Sequence, residues 1–158
     1  MNSFAANILL AACWAALTGS AAPGALATGF ALGFAVLWLL RPLTGGDGRY
    51  FRRVYCWLRL IVMFHYELLV SSLTVAWDVL TPRHRARPAI IDLPLDVTTD
   101  AGILLVTNLI SLTPGTLSLD VSEDRKTLRV HAMFADDPVR IRRQLKTGME
   151  RWVKEAVE

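Results

Sequence analysis

The chain has 158 residues, of which 53% are hydrophobic and 20% charged, and a net charge of +3. It is too apolar for a disordered polypeptide and too weakly basic for charge-driven nucleic-acid binding, so nucleic acid is not an expected partner. Its two cysteines, Cys13 and Cys56, lie in apolar segments without a ligand-like spacing, which argues against a disulfide framework or a thiolate metal site.

Charge is unevenly distributed. Residues 1–40 contain no Asp, Glu, Lys or Arg. As helix they would extend about 60 Å, about twice the hydrocarbon core of a bilayer. The expected arrangement over 1–40 is a transmembrane α-hairpin: one helix from Phe4 to Thr18, a turn at Gly19-Ser20 and Pro23-Gly24, and a second helix from Ala25 to Leu40. A cleavable signal peptide is the rival reading, but Met1-Asn2-Ser3 supplies no basic leader and a second apolar run follows at once. Gly29 and Gly33 give the Gly-x-x-x-Gly spacing that permits close helix approach.

Residues 41–53 read as a basic loop with four arginines and one aspartate, and a second basic cluster follows at 83–87. The positive-inside rule places both in the cytoplasm. Between them, 54–81 form a long amphipathic helix. At 100° per residue, Arg52, Arg59, Met63, Glu67, Val70, Ser71, Thr74 and Asp78 fall in one sector of roughly 120°. A helix lying along the cytoplasmic interface keeps both basic clusters inside, and a third membrane-crossing helix is the alternative. Charges at membrane depth pair or line a hydrated path. Arg59, His65, Glu67 and Asp78 are therefore candidate ion-path or subunit-contact residues. A relay through Glu67 with His65 beside it stands against a plain polar stripe facing water, headgroups or a partner.

Residues 88–158 have the pattern of a small cytoplasmic α+β domain of order βαββα. A strand over 89–95 precedes a helix over 101–112, capped by Thr99 or Asp100 and too short to span a bilayer. Leu117, Leu119 and Val121 alternate with Ser118 and Asp120, predicting a half-buried strand with the leucines inward. A turn at 123–126 leads to a return strand through Leu128, Val130 and Ala132. Asp136-Asp137-Pro138 opens a last helix with an apolar stripe of Ile141, Leu145, Met149, Trp152, Val153 and Ala156. Thr44-Gly45-Gly46-Asp47-Gly48 lacks the Lys-Ser/Thr of a phosphate loop. His65, His84 and His131 are scattered over separate elements. No cofactor, metal site or enzymatic activity is expected.

The run Asn108 to Ser118, with Asp120 and Val130-His131-Ala132-Met133 after it, resembles the E subunit of the multi-subunit Mrp-type (Mnh-type) cation/proton antiporters. The likeness in length and organisation covers nearly the whole chain. It implies a bacterial plasma-membrane complex that exchanges cytoplasmic Na+ for protons, serving pH and salt homeostasis. It also implies that the ion pathways lie mainly in larger subunits, with this chain an accessory or structural subunit needed for assembly or full activity. Other antiporter subunits and membrane lipid are the implied partners. Ser111, Thr113, Pro114, Gly115, Thr116 and Ser118 would form the family's signature corner from helix to strand, with hydroxyls able to satisfy freed backbone groups. Two alternatives stay open: a direct place in the ion path through Glu67 or Asp78, and a membrane-anchored regulatory module that senses a ligand.

Overall fold

The computed structural model describes residues 3–44, 48–82 and 85–158. The chain divides into two compact units, Met1–Arg52 and Arg53–Glu158.

In the first unit, α1 (Ser3–Thr18) and α2 (Pro23–Leu39) are joined by a tight turn. Gly19 ends α1 in the left-handed region at φ 64°. The Gly19 and Ser20 amides bond back to the carbonyls of Ala16 and Ala15, closing a Schellman motif. Pro23 then occupies the first turn of α2. The helices run antiparallel along a seam of small residues. Ala11 and Ala15 of α1 and Gly29 and Gly33 of α2 are buried. A Cβ on Gly29 would lie 2.8 Å from Trp14 Cβ and 3.1 Å from Ala11 Cα, and one on Gly33 would meet Asn7 Oδ1. The glycine pair is thus filled by the chain's own first helix.

Asn7 is the polar residue of that seam. Its side chain is fully buried and its Nδ2 donates to the Tyr50 hydroxyl at 2.8 Å. Phe34 packs on Tyr50 and Phe51, with ring centroids 5.9 and 5.1 Å apart.

The basic loop expected over 41–53 is largely helical. Arg41–Thr44 forms a short helix, α3, and the long helix α4 (Arg49–Leu80) begins five residues before the expected position 54. Tyr50 and Phe51 are aromatic anchors for the hairpin rather than loop residues, which accounts for the earlier start. Residues 45–47 of the expected loop and residues 83 and 84 of the second basic cluster lie outside the described residues.

In the second unit, α4 is followed by β1 (Ala89–Pro94), α5 (Asp100–Leu112), β2 (Thr116–Val121), β3 (Thr127–Ala132), α6 (Pro138–Leu145), a π-helical turn (Lys146–Glu150) and α7 (Arg151–Val157). The strands form one antiparallel sheet of order β1-β3-β2. Thr99 caps α5, accepting the Gly102 amide at 3.2 Å, while Asp100 pairs with Arg125. Asp137 caps α6 through the Val139 and Arg140 amides. Leu93, Leu128 and Val130 form a core with Val106 and Ile110 of α5 and Val153 of α7. The outer face of the sheet is open: Ile90, His131 and Leu117 align across the three strands.

The expected inward placement of Leu117 and Leu119 is overturned, since they are 50% and 47% exposed. A bulge between Ser118 and Asp120 shifts the β2 register. Thr116 and Ser118 consequently face α5, and only Val121 reaches the core. An extra residue in one strand reverses the alternation on either side of it.

Two carboxylates brace the connection from β1 to α5. Glu150, 1% exposed, accepts the Asp96 and Val97 amides and pairs with Lys146. Glu158 Oε1 accepts the Thr98 and Thr99 amides at 2.8 and 3.0 Å. These bonds, the Thr98 amide foremost, hold the Glu158 carboxyl below its ordinary range against the opposing cost of burial.

Gly33→Val is expected to destabilise the hairpin by about 1–3 kcal/mol. Gly24→Ala, where an added Cβ meets nothing within 4 Å, should leave it unchanged. Thermal unfolding of the full chain in detergent micelles distinguishes the two.

Candidate functional site

The polar stripe of α4 is turned toward its own α+β domain. Leu60 is inserted into the domain core, with Cys56 and Phe64 packed around it. Beside it, Arg59 Nη1 donates to Glu155 Oε2 at 2.8 Å, and Glu155 also receives Arg151 Nε at 2.8 Å. Near the other end of the helix, Asp78 is 4% exposed and accepts the Arg85 amide. The opposite face of α4 is apolar and uncovered within this unit: Leu58, Ile61, Val62, Leu69, Leu73 and Trp77 are all exposed.

The four ionisable residues singled out in α4 do not form one site. Glu67 and Asp78 are about 16 Å apart along the helix. His65 is about 200° around the axis from Glu67. It is exposed, edge-on to Phe64 and bonded through Nδ1 to the Ile61 carbonyl at 2.7 Å. A relay with His65 beside Glu67 is therefore not assembled.

The structure instead joins Glu67 to the signature corner. Glu67, Ser71 and Thr74 form one wall of a cleft of about 580 Å³. Thr113, Pro114, Gly115 and Thr116 form a second wall, and Arg140, Gln144 and Thr147 a third. Phe134, Ile141, Leu145 and Trp152 supply its apolar surface. The volume falls within the range of about 300–1,000 Å³ typical of ligand pockets.

The corner is held by its own hydroxyls. Thr116 N bonds to the Thr113 carbonyl at 3.2 Å across Pro114 and Gly115. Gly115 has φ 89°, as a type II turn requires at its third position. Thr113 Oγ1 donates to the Leu109 carbonyl and Thr116 Oγ1 to the Ile110 carbonyl. Ser118 Oγ donates to the Thr107 carbonyl, while its amide donates to Ser111 Oγ. The last bond masks the free edge of β2 with a helix side chain, which protects it against stray strand pairing.

Sequence reasoning did not single out Arg140, Gln144 or Thr147, which line the cleft from α6 and from the π-helical turn at Lys146–Glu150 that follows it. Gly148 is the sequence's faint sign of it. It also missed the Lys146–Glu150 pair, whose signal was a glutamate inside an apolar stripe with a lysine one turn earlier. Among the described residues, no group of three or more His, Cys, Asp or Glu side chains converges as a metal site.

A family model described as Na+/H+ ion antiporter subunit (MNHE) matches residues 7–156. The E subunit of a Na+/H+ antiporter from Alkalihalophilus pseudofirmus is 32% identical over 152 residues, 96% of each chain. The E1 subunit of a Na+/H+ antiporter from Staphylococcus haemolyticus is 35% identical over 152 residues, 96% of this chain and 95% of the relative. A chain in the solved Mrp complex from Dietzia sp. DQ12-45-1b shares the fold, with a TM-score of 0.51 and 24% identity over 62% of this chain and 92% of that one.

The core anchor of α4 should outweigh its ion pair. Leu60→Ala is expected to cost about 2–5 kcal/mol. Arg59→Ala should cost at most about 1 kcal/mol, because the pair is partly solvated. Denaturant unfolding of the full chain in micelles measures both.

Proposed function

Because the chain belongs to the family of Na+/H+ antiporter E subunits, we propose that it is an accessory, non-conducting member of a multi-subunit Na+/H+ antiporter. Its partners are the other subunits of that complex, and its place is the bacterial plasma membrane. The observation that carries the non-conducting role is the direction of the α4 polar stripe. Arg59 is paired with the chain's own domain, buried Asp78 accepts the Arg85 amide just beyond α4, and Glu67 opens onto a cleft of the domain.

The same observation supports a topology. Among the described residues, α4 is the one helix long and apolar enough to cross a bilayer. However, the domain packs on its inner face at Arg59, Leu60 and Phe64 and walls a cleft against Glu67, Ser71 and Thr74, and a charged domain cannot share that depth with hydrocarbon. We place α4 along the cytoplasmic surface, with its apolar face toward lipid and the α+β domain in the cytoplasm. The hairpin helices, of 16 and 17 residues, are about 24 and 26 Å long. They are short for a span, and local thinning of the bilayer accommodates such a mismatch at modest cost.

In a Cys13→Ser/Cys56→Ser background, cysteines placed at Gly48, Ala86 and Glu158 should react with a membrane-impermeant maleimide only from the cytoplasmic side. Labelling of Gly48→Cys from outside would make α4 a third crossing.

Asp78→Asn should lower the amount of assembled antiporter, with Na+/H+ exchange falling only in proportion. A fall in exchange per assembled complex would instead assign Asp78 to the ion path.

A further inference from the structure

The geometry points to a lipid-headgroup site: the cleft between α4 and the signature corner takes a phospholipid whose headgroup carries both a phosphate and a primary ammonium. The inference rests on the placement of α4 at the membrane surface, and it names what the cleft holds there.

Charge complementarity carries the choice. Among the described lining residues, Glu67 is the one acid and Arg140 the one base. They sit on different walls, α4 and α6. Arg140 is exposed and has no hydrogen bond or ion pair of its side chain among the described residues. A guanidinium in that position is a ready donor to a phosphate.

The hydroxyls say what the other half of the ligand must offer. Thr74 Oγ1 donates to the Val70 carbonyl at 2.9 Å, Thr113 Oγ1 to Leu109 at 2.9 Å and Thr116 Oγ1 to Ile110 at 2.7 Å. Thr147 Oγ1 donates to Arg143 at 2.8 Å. Each of these four hydroxyl protons is thus committed to the backbone, leaving oxygen lone pairs for a ligand. With the Glu67 carboxylate, these make an acceptor-rich lining around the cleft. A primary ammonium brings three N–H donors, whereas a quaternary choline brings none. The apolar surface of Phe134, Ile141, Leu145 and Trp152 suits the first methylenes of an acyl chain. That chain would pass the flank of α4 at Val70 and Trp77, both exposed, to reach the apolar face beyond. A water-soluble zwitterion would leave this half of the cleft unmatched.

The test is native mass spectrometry of the full chain in non-ionic detergent. It is titrated with phosphatidylethanolamine, phosphatidylcholine and phosphatidylglycerol of identical acyl chains. One phosphatidylethanolamine should be retained in preference to the others. Glu67→Gln should erase the preference over phosphatidylcholine. Arg140→Gln should weaken retention of every phospholipid by about tenfold, the worth of a lost charge-assisted bond. Arg129→Gln, on the open sheet face, should change nothing. Thr74→Trp should fill the cleft and displace lipid whatever its headgroup.

Equal retention of the three lipids by wild type would overturn the proposal. Displacement of bound lipid by equimolar O-phosphoethanolamine would assign the cleft to a soluble ligand, and displacement by NaCl at constant ionic strength would assign it to the cation. Loss of the lipid on assembly with the other subunits would assign it to a neighbouring chain. Each of these also overturns the proposal. Labelling of Gly48→Cys separates the two levels: cytoplasmic-side reaction in a chain that ignores headgroups leaves the surface placement standing, and reaction from outside refutes both.

Discussion

Everything in the second unit depends on α4 giving its inner face to the domain rather than to lipid. The domain, from Ala89 to Glu158, has a three-stranded sheet with one face open. A sheet and helix layer of that size buries a marginal core. Leu60 enters that core at 3% exposure, with Cys56 and Phe64 around it. Burial of such side chains contributes about 1.5–3 kcal/mol each, which is large beside the net stability of a small domain. The Arg59–Glu155 pair adds orientation more than energy, since each side chain is about a third exposed. Once Leu60 is seated, the 100° periodicity decides the rest. Glu67, Ser71 and Asp78 must follow it inward, and Ile61, Leu69 and Trp77 must be left outside. The uncovered apolar surface and the cleft are two results of one register.

The hairpin obeys a different physics. It has no charge to pair, and in the lipid setting proposed for it the hydrophobic effect cannot drive helix against helix. What remains is close approach, and the small residues at Ala11, Ala15, Gly29 and Gly33 provide it. Asn7 is the exception that fixes the register. A buried amide in apolar surroundings is costly unless bonded, and the Tyr50 hydroxyl supplies the bond.

Elements governed by short-range rules were legible from the sequence. The Gly19 stop, the Thr99 and Asp137 caps, and the Pro114-Gly115 turn follow from local backbone demands, and their positions agree with the structure within a residue or two. The polar stripe of α4 was legible as a stripe, because helical periodicity is regular. What it faces was not, because that depends on Leu60 finding a core built from residues up to 97 positions away. The same limit explains the inverted β2. Alternation predicts one face only while the pleat is unbroken, and a bulge has no signature in Leu117-Ser118-Leu119-Asp120-Val121. The start of α4 was misplaced because Gly48 and four arginines outweighed Tyr50 and Phe51, whose ring partner Phe34 lies far back in the sequence.

The cleft is the place where three such departures coincide. Along α4 the inner face passes from Leu60 and Phe64, which fill space, to Glu67, Ser71 and Thr74, of which the latter two are too small to do so. Facing them, Pro114 ends α5 and turns the chain away, so no further helical turn closes the gap. From the third side, the π-helical turn displaces Thr147 and Gly148 from the positions a regular helix would give them, and Gly148 brings no side chain. An interior normally closes on such a gap, because unfilled space forfeits dispersion contacts. Its rim is polar, and the hydroxyls of Thr74, Thr113, Thr116 and Thr147 there are satisfied by backbone carbonyls of their own segments. Glu150 holds the far side of the π-helical turn against the β1–α5 connection. A cleft whose threonine hydroxyls are already bonded and whose rim is polar takes an occupant without breaking any bond of the fold.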